Sequence, residues 1–251
     1  MSLIHMDVQD HVAIVKLDHG VTNAINLPLV NELAEALQQV KRDPNVHGLV
    51  LGSANDKFFS IGLSLPELYG LPKDEFAGFW QAFTHLGLEL FTLPKPTVAA
   101  LTGHALAGGC IVALCCDYRV MAAGRKLMGL NEIKLGVPVP YLADCILRHL
   151  VGARAAREVT DTGEFYPPEE LLRLGLVDQV LPPEQVLSWA IEKARTLGAY
   201  PPAAFAGIKH NRVQPVAAQV LAQEEKEERL FLDLWYGDEA RARLKAALEK
   251  F

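Results

Sequence analysis

The stretch GHALAGGCIVAL, residues 103–114, constrains the fold of this chain more than any other. Three glycines and three alanines run into an apolar segment. A chain so short of side-chain bulk either brings two elements into very close contact or turns bare backbone N–H groups toward something that needs them. The β-like run KPTVAAL precedes it, and residues 108–115 read as a helix. A helix N-terminus entered from a glycine loop can hold a phosphate or a developing oxyanion, because its first N–H groups lack acceptors and carry partial positive charge. The loop is no Walker motif, since no Gly-Lys-Ser/Thr follows, and GHALAGG lacks the spacing of a dinucleotide fingerprint. On the glycines alone, tight packing and anion holding both stand.

The elements around this loop alternate. MDVQDHVAIVKL carries two β-like runs about Gln9–Asp10, a hairpin signal. Over 27–41, apolar residues at Leu29, Val30, Leu33, Ala34, Leu37 and Val40 repeat with helical spacing, with Asn26 as N-cap and Pro28 in the first turn. VHGLVLGS reads as a buried strand, 54–63 as a loop, 65–70 and 75–92 as helices, and DYRVMA as a further strand. A third loop, GLNEIKLGVP, follows. From 140 onward the pattern is helical apart from a short VDQVL strand, and the EEKEER run reads as a solvated helix face. The fold class is α/β, with a core over 1–198 and a helical region over 199–251, divided at GAYPPAA.

Composition closes off several classes. Half of the 251 residues are hydrophobic, enough for a sizeable core, and a net charge of −6 gives no reason to expect nucleic acid as a partner. No apolar run reaches the roughly 18 residues of a membrane span. MSLIHMDVQD shows no secretory pattern. Cysteines 110, 115, 116 and 145 follow neither zinc nor disulfide spacing, and Cys115 and Cys116, in an apolar stretch, read as buried free thiols. The expected setting is therefore the reducing cytoplasm, with no metal and no membrane.

KFFSIGLSLPEL, like the glycine loop, runs from a strand through glycine toward a helix. Two such loops offer two sets of forward N–H groups, and Glu132 stands alone in the third loop. Two backbone donors converging on one carbonyl oxygen make an oxyanion hole, and a carboxylate beside it can move protons.

NAINLPLVNELAEALQQVKRDPNVHGLVLGS, FFSIGLSL, GHALAGGCIVALCCDYRVMA, GLNEIKLGV and LLRLGLVDQVLPPEQV together, in this order, resemble the crotonase (enoyl-CoA hydratase/isomerase) superfamily. The resemblance implies a spiral of ββα units followed by a C-terminal helical region that assembles homotrimers or dimers of trimers. It implies an acyl-CoA substrate, with CoA as part of the substrate and no separate cofactor. Oxyanion N–H groups would come from Leu63 and Gly108. Ser60, Ile61, Gly62, Ser64, Leu65 and Asn131 would lie against substrate or CoA, with Lys57 either meeting the CoA phosphates or standing solvated.

The hydratases of the superfamily use two glutamates. The first falls at Ile111 here and the second at Glu132. One carboxylate is lost and one kept. The Asn131–Glu132 pair is similar to that of Δ3,Δ2-enoyl-CoA isomerases, which implies Glu132 as the catalytic acid/base. The family pattern Ala-Gly-x-Asp reads Ile61-Gly62-Leu63-Ser64 here, with Ser64 expected to cap the next helix. Other crotonase reactions (hydration, cleavage, decarboxylation) and a non-catalytic acyl-CoA-binding protein remain as alternatives. A serine hydrolase is disfavoured because GLSLP has Pro66 where a nucleophile elbow needs glycine. His104 reads as bonded to backbone, and Asp117 or Arg119 as part of a buried pair. Tyr69, Phe79, Trp80 and Phe83 either line an acyl tunnel or pack the core.

Overall fold

The computed structural model describes residues 2–249. The chain opens with the expected hairpin, strands β1 (Ile4–Gln9) and β2 (Val12–Leu17), paired antiparallel from Ile4↔Leu17 to Gln9↔Val12. Its two-residue turn is Asp10–His11, both left-handed, as tight hairpins require. Helix α1 (Leu27–Arg42) starts where the sequence placed it, with the Asn26 side chain accepting from the Leu29 N–H at 3.0 Å. Its buried stripe, Leu29, Val30, Leu33, Leu37 and Val40, matches the apolar period.

The next three windings repeat one plan. Strand β3 (Gly48–Ser53) leads to short β4 (Phe58–Ser60), then to α2 (Leu65–Leu68) and α3 (Lys73–Thr92). Strand β5 (Thr97–Leu101) leads to β6 (His104–Leu106) and α4 (Gly108–Leu114). Strand β7 (Tyr118–Ala122) leads to β8 (Met128–Gly129), a 3-10 turn over Glu132–Leu135, and α5 (Tyr141–Thr162). The chain continues through β9 (Phe165–Tyr166), α6 (Pro168–Leu174), β10 (Gln179–Leu181) and α7 (Pro183–Gly198). The five longer strands and the three-residue β10 join a six-stranded sheet, β1-β2-β3-β5-β7-β10, parallel apart from β1. Short strands join a second sheet, β4-β6-β8-β9. The result is a spiral in which each of these three windings gives one strand to each sheet.

Several sequence expectations are corrected here. Residues 54–63 are not all loop, since Phe58–Ser60 is β4, the glycine loop contains β6, and β8 ends on Gly129, the first residue of the third loop. The helices expected at 65–70 and 75–92 occupy 65–68 and 73–92. The region after 140 holds β9 as well as β10. Strands of two or three residues are too short to display alternation, so neighbouring strands rather than local pattern create them.

Helix α7 ends at Gly198, and α8 (Pro202–Trp235) and α9 (Asp238–Leu248) follow. Helix α8 buries Val213, Val216, Ala217 and Val220 at helical spacing. A polar hub fixes it to the spiral. The Lys209 Nζ donates to Asp117 Oδ2 at 2.7 Å and to the Lys95 carbonyl at 3.1 Å. Asp117 also accepts from Arg212 at 2.5 Å, from the Thr97 N–H at 2.9 Å and from the Thr97 hydroxyl at 3.0 Å. Arg119 is paired as well, with Asp178 at 3.7 Å, and its guanidinium donates to the carbonyls of Cys116 and Leu176, and more loosely to Ala113 and Leu114 at the end of α4. A cation there complements the negative end of the helix. All four cysteines are buried free thiols.

Candidate active site

The second sheet sets the geometry. Because β4, β6 and β8 are neighbours in that order, the segments leaving their ends also lie side by side. Those segments are Ile61–Ser64, Ala107–Gly108 and Leu130–Glu132. Three loops separated by tens of residues in sequence therefore border one cavity of about 620 Å³, whose walls include Leu63, Gly108, Ile111, Asn131 and Glu132.

The first loop is clamped from behind. The Ile25 N–H donates to the Gly62 carbonyl and the Ser64 N–H to the Ile25 carbonyl, both at 2.8 Å, which leaves the Leu63 N–H facing away from that contact. Gly62 sits at φ +101°, where a side chain would be strained. Ser64 does not cap α2 as expected. It is buried, and its hydroxyl donates to Glu67 Oε1 at 2.8 Å. Glu67 also accepts from the Asn26 side chain at 2.9 Å, so Ser64 and Asn26 tie the loop to the start of α1. The hydroxyl finds a full carboxylate nearer to hand than the helix N–H groups.

The second loop answers both readings of the glycines. A Cβ on Gly103 would meet the Phe58 N at 2.5 Å, and one on Gly109 would meet the Ser60 carbonyl oxygen at 2.5 Å, so those two are bare for packing. Gly108 is bare at the cavity. A Cβ there would lie 3.3 Å from the Leu63 N, and one on Gly62 would lie 2.9 Å from the Gly108 N, which sets the two amides side by side. Among the described residues neither N–H has an acceptor. Ala107, just before Gly108, holds φ +47° and ψ −118°, a strained conformation for a residue with a Cβ. Its N–H donates to the Gly129 carbonyl and its carbonyl accepts from the Ile111 N–H, and these bonds hold it there.

The third loop supplies Glu132, the first residue of a 3-10 turn closed by Gly136. Glu132 is 6% exposed. No side chain among the described residues bonds or pairs with its carboxylate, and its Oε2 is sealed without a partner. Burial pushes the carboxyl up to about 7, opposed only by its own backbone N–H. Asn131 Oδ1 is also buried without a partner.

The other sequence-derived candidates divide. Ile61 and Leu65 border the cavity. Ser60, Gly62 and Ser64 lie behind its wall: the Ser60 hydroxyl donates to the Asn23 carbonyl at 2.7 Å and accepts from the Gly62 N–H at 3.1 Å. Lys57 is exposed outside the cavity, its Nζ 5.7 Å from the Phe58 ring centre. His104 accepts the Leu127 N–H at Nδ1, 3.1 Å away, so it is bonded to backbone. Of the four aromatics left open, Trp80 and Phe83 border the cavity, whereas Tyr69 lies under the Arg241 guanidinium and Phe79 is in the core.

Sequence reasoning missed the far wall. Phe231 and Trp235 of α8 and Arg243, Ala246 and Ala247 of α9 close the cavity, and Lys134 and Phe165 stand nearby. No local signal points to them, because the chain travels through four more helices before folding back.

A family model described as enoyl-CoA hydratase/isomerase matches residues 7–251. The chain belongs to this family. It is 33% identical over 249 residues to human mitochondrial enoyl-CoA delta isomerase 1, covering 99% of this chain and 82% of that protein. The crystal structure of human mitochondrial Δ3-Δ2-enoyl-CoA isomerase superposes with a TM-score of 0.95 at 32% identity, covering 99% of this chain and 97% of the other. A crotonyl-CoA hydratase from Syntrophomonas wolfei is 31% identical over 189 residues, covering 73% of this chain and 71% of the relative. The spiral described above is the family's crotonase fold, and the chain is an acyl-CoA enzyme of that family.

Proposed function

We propose that the protein is a Δ3,Δ2-enoyl-CoA isomerase. The observation that carries the reading is the pairing of a lone buried Glu132 with Ile111 in one cavity. Glu132 takes a proton from C2 of a 3-enoyl thioester. The C2–H electron pair delocalises toward the thioester oxygen, and the N–H groups of Leu63 and Gly108 hold the charge that develops there. Glu132, now a carboxylic acid, returns the proton at C4, and the double bond ends between C2 and C3. A carboxyl near 7 suits a group that must both take and give a proton at neutral pH. Loss of one oxyanion donor costs about 2.7–4 kcal/mol in other enzymes, so two donors are a large part of such a site.

Hydration asks for more. A water must be oriented and deprotonated while the neighbouring carbon is protonated, and the Ile111 side chain can do neither. Leu65, Ile61 and Asn131 would border the substrate. Ser60, Gly62 and Ser64 would support the loop, and Lys57 is our candidate for the CoA phosphates. CoA enters as part of the substrate, with no separate cofactor. Exposed apolar side chains on α8, Ile208 at 67% and Leu221 at 54%, support assembly into a trimer or a dimer of trimers through the helical region. The buried thiols support a reducing compartment, with the cytoplasm as our assignment. The deciding experiment incubates the purified protein with a 3-enoyl-CoA and, separately, with a 2-enoyl-CoA in water, following the conjugated thioester by absorbance. Faster formation of conjugated thioester than its loss by hydration is expected; the reverse order would overturn the isomerase assignment in favour of a hydratase.

A further inference from the structure

The catalytic cavity ends against a pair of stacked aromatic rings, and a second opening lies behind them. Trp80 of α3 and Phe231 of α8 have ring centres 3.6 Å apart and planes 15° apart. Both are buried, at 5% and 3% exposure. Neighbouring rings brace them: Trp80 packs on Phe76 and Phe83, and Phe231 on Trp235. One side of the stack faces the cavity that holds Glu132. The same two residues, with Pro140, also border a narrow cleft of about 30 Å³ running past Thr84, Tyr141 and Val220 toward Glu224, Glu227 and Glu228. That is room for about one water molecule.

We propose that the Trp80–Phe231 stack is a partition that ends the acyl chamber and sets the longest acyl group the site accepts. The inference rests on the acyl-thioester reading of the cavity. An alkyl tail growing away from the thioester meets first the aromatic wall, which buries methylenes favourably, and then the flat contact of the two rings, which leaves no passage. The space beyond it is too small for an alkyl segment. A tail forced through would emerge among three carboxylates and take water from them without giving anything back. The wall and the acidic exit act in the same direction, against long chains.

The test measures calorimetric binding of saturated, unreactive acyl-CoA thioesters from butanoyl to hexadecanoyl. The full-length wild type, Trp80→Ala and Phe231→Leu are compared, the last keeping the wall apolar should the first not fold. In the wild type, affinity rises with each methylene and then stops rising. In a folded variant the rise continues over at least two further methylenes, at about fourfold each. Chain-length profiles that remain parallel in wild type and variants, with binding otherwise intact, overturn the partition and leave the acyl-CoA reading standing. Absence of binding by any thioester to the wild type overturns the acyl-CoA reading, and the partition with it.

Discussion

Asp117 and Glu132 are both buried carboxylates, and their surroundings are opposite. Asp117 is met by Lys209, Arg212 and both donors of Thr97. Among the described residues Glu132 is met by no side chain, and burial acts on it opposed only by its own backbone N–H. The first arrangement secures α8 to the spiral, with both carboxylate oxygens bonded. The second leaves a carboxyl oxygen without a partner, free to meet a ligand. The strained Ala107 borders the same cavity as Glu132. Unfavourable features collect where chemistry is proposed, and satisfied ones where the fold is held.

The strongest way to break this contrast is Glu132→Gln, which keeps the shape and removes the base. Turnover of a 3-enoyl-CoA should fall by about 10³-fold or more, while calorimetric binding of acyl-CoA stays within a few-fold. Equal activity would remove Glu132 from the mechanism.

Asp117→Ala should do the converse. It strands the Lys209 ammonium in the interior, and the urea unfolding free energy should drop by about 3–5 kcal/mol. A small loss would mean that the hub is not what holds α8 in place.

The two carboxylates should also part company with pH. Glu132 is raised from 4.5 to about 7 in the folded state, so the native protein holds that proton more tightly than the unfolded chain. Its stabilising effect is full below pH 4.5 and is lost as pH rises through about 7. Glu132→Gln should therefore match the wild type in stability near pH 4 and exceed it above pH 8, by up to about 3 kcal/mol. The wild-type kcat/KM should rise through about 7, where the base ionises. A flat difference in stability across that range would sink the burial argument.

The smallest expected effect is at Ala107. Ala107→Gly relieves a positive φ and should raise stability by up to about 1 kcal/mol in thermal unfolding. The same change frees the peptide plane that carries the Gly108 N–H, so kcat should fall. A rise in kcat would show that the strain serves no aim.

Much of this was legible in the sequence, for physical reasons that also mark where reading stops. Helix α1 announces itself by its apolar stripe, its Asn26 cap and Pro28. The three loops carry their glycines and Glu132 in plain view. Strands β4, β6 and β8 do not, because two or three residues cannot show a period, yet they align the loops. The partner of Asp117 lies 92 residues away, and nothing local marks Lys209 as its cation. The aromatic and α9 wall is similarly remote: the spacing of Phe231 and Trp235 reads as ordinary helix packing until the chain's return brings them over the cavity. Ser64 shows a subtler limit. Its type fits a cap, but Glu67 outcompetes the backbone for its hydroxyl.

Helix α9 covers the cavity of the very chain that supplies Glu132. The proposed base and the helical wall over it thus come from one and the same copy. In a mixed assembly, copies disabled at Glu132 and copies disabled in α9 should fail to rescue one another, and output should track the fraction of intact subunits in a straight line.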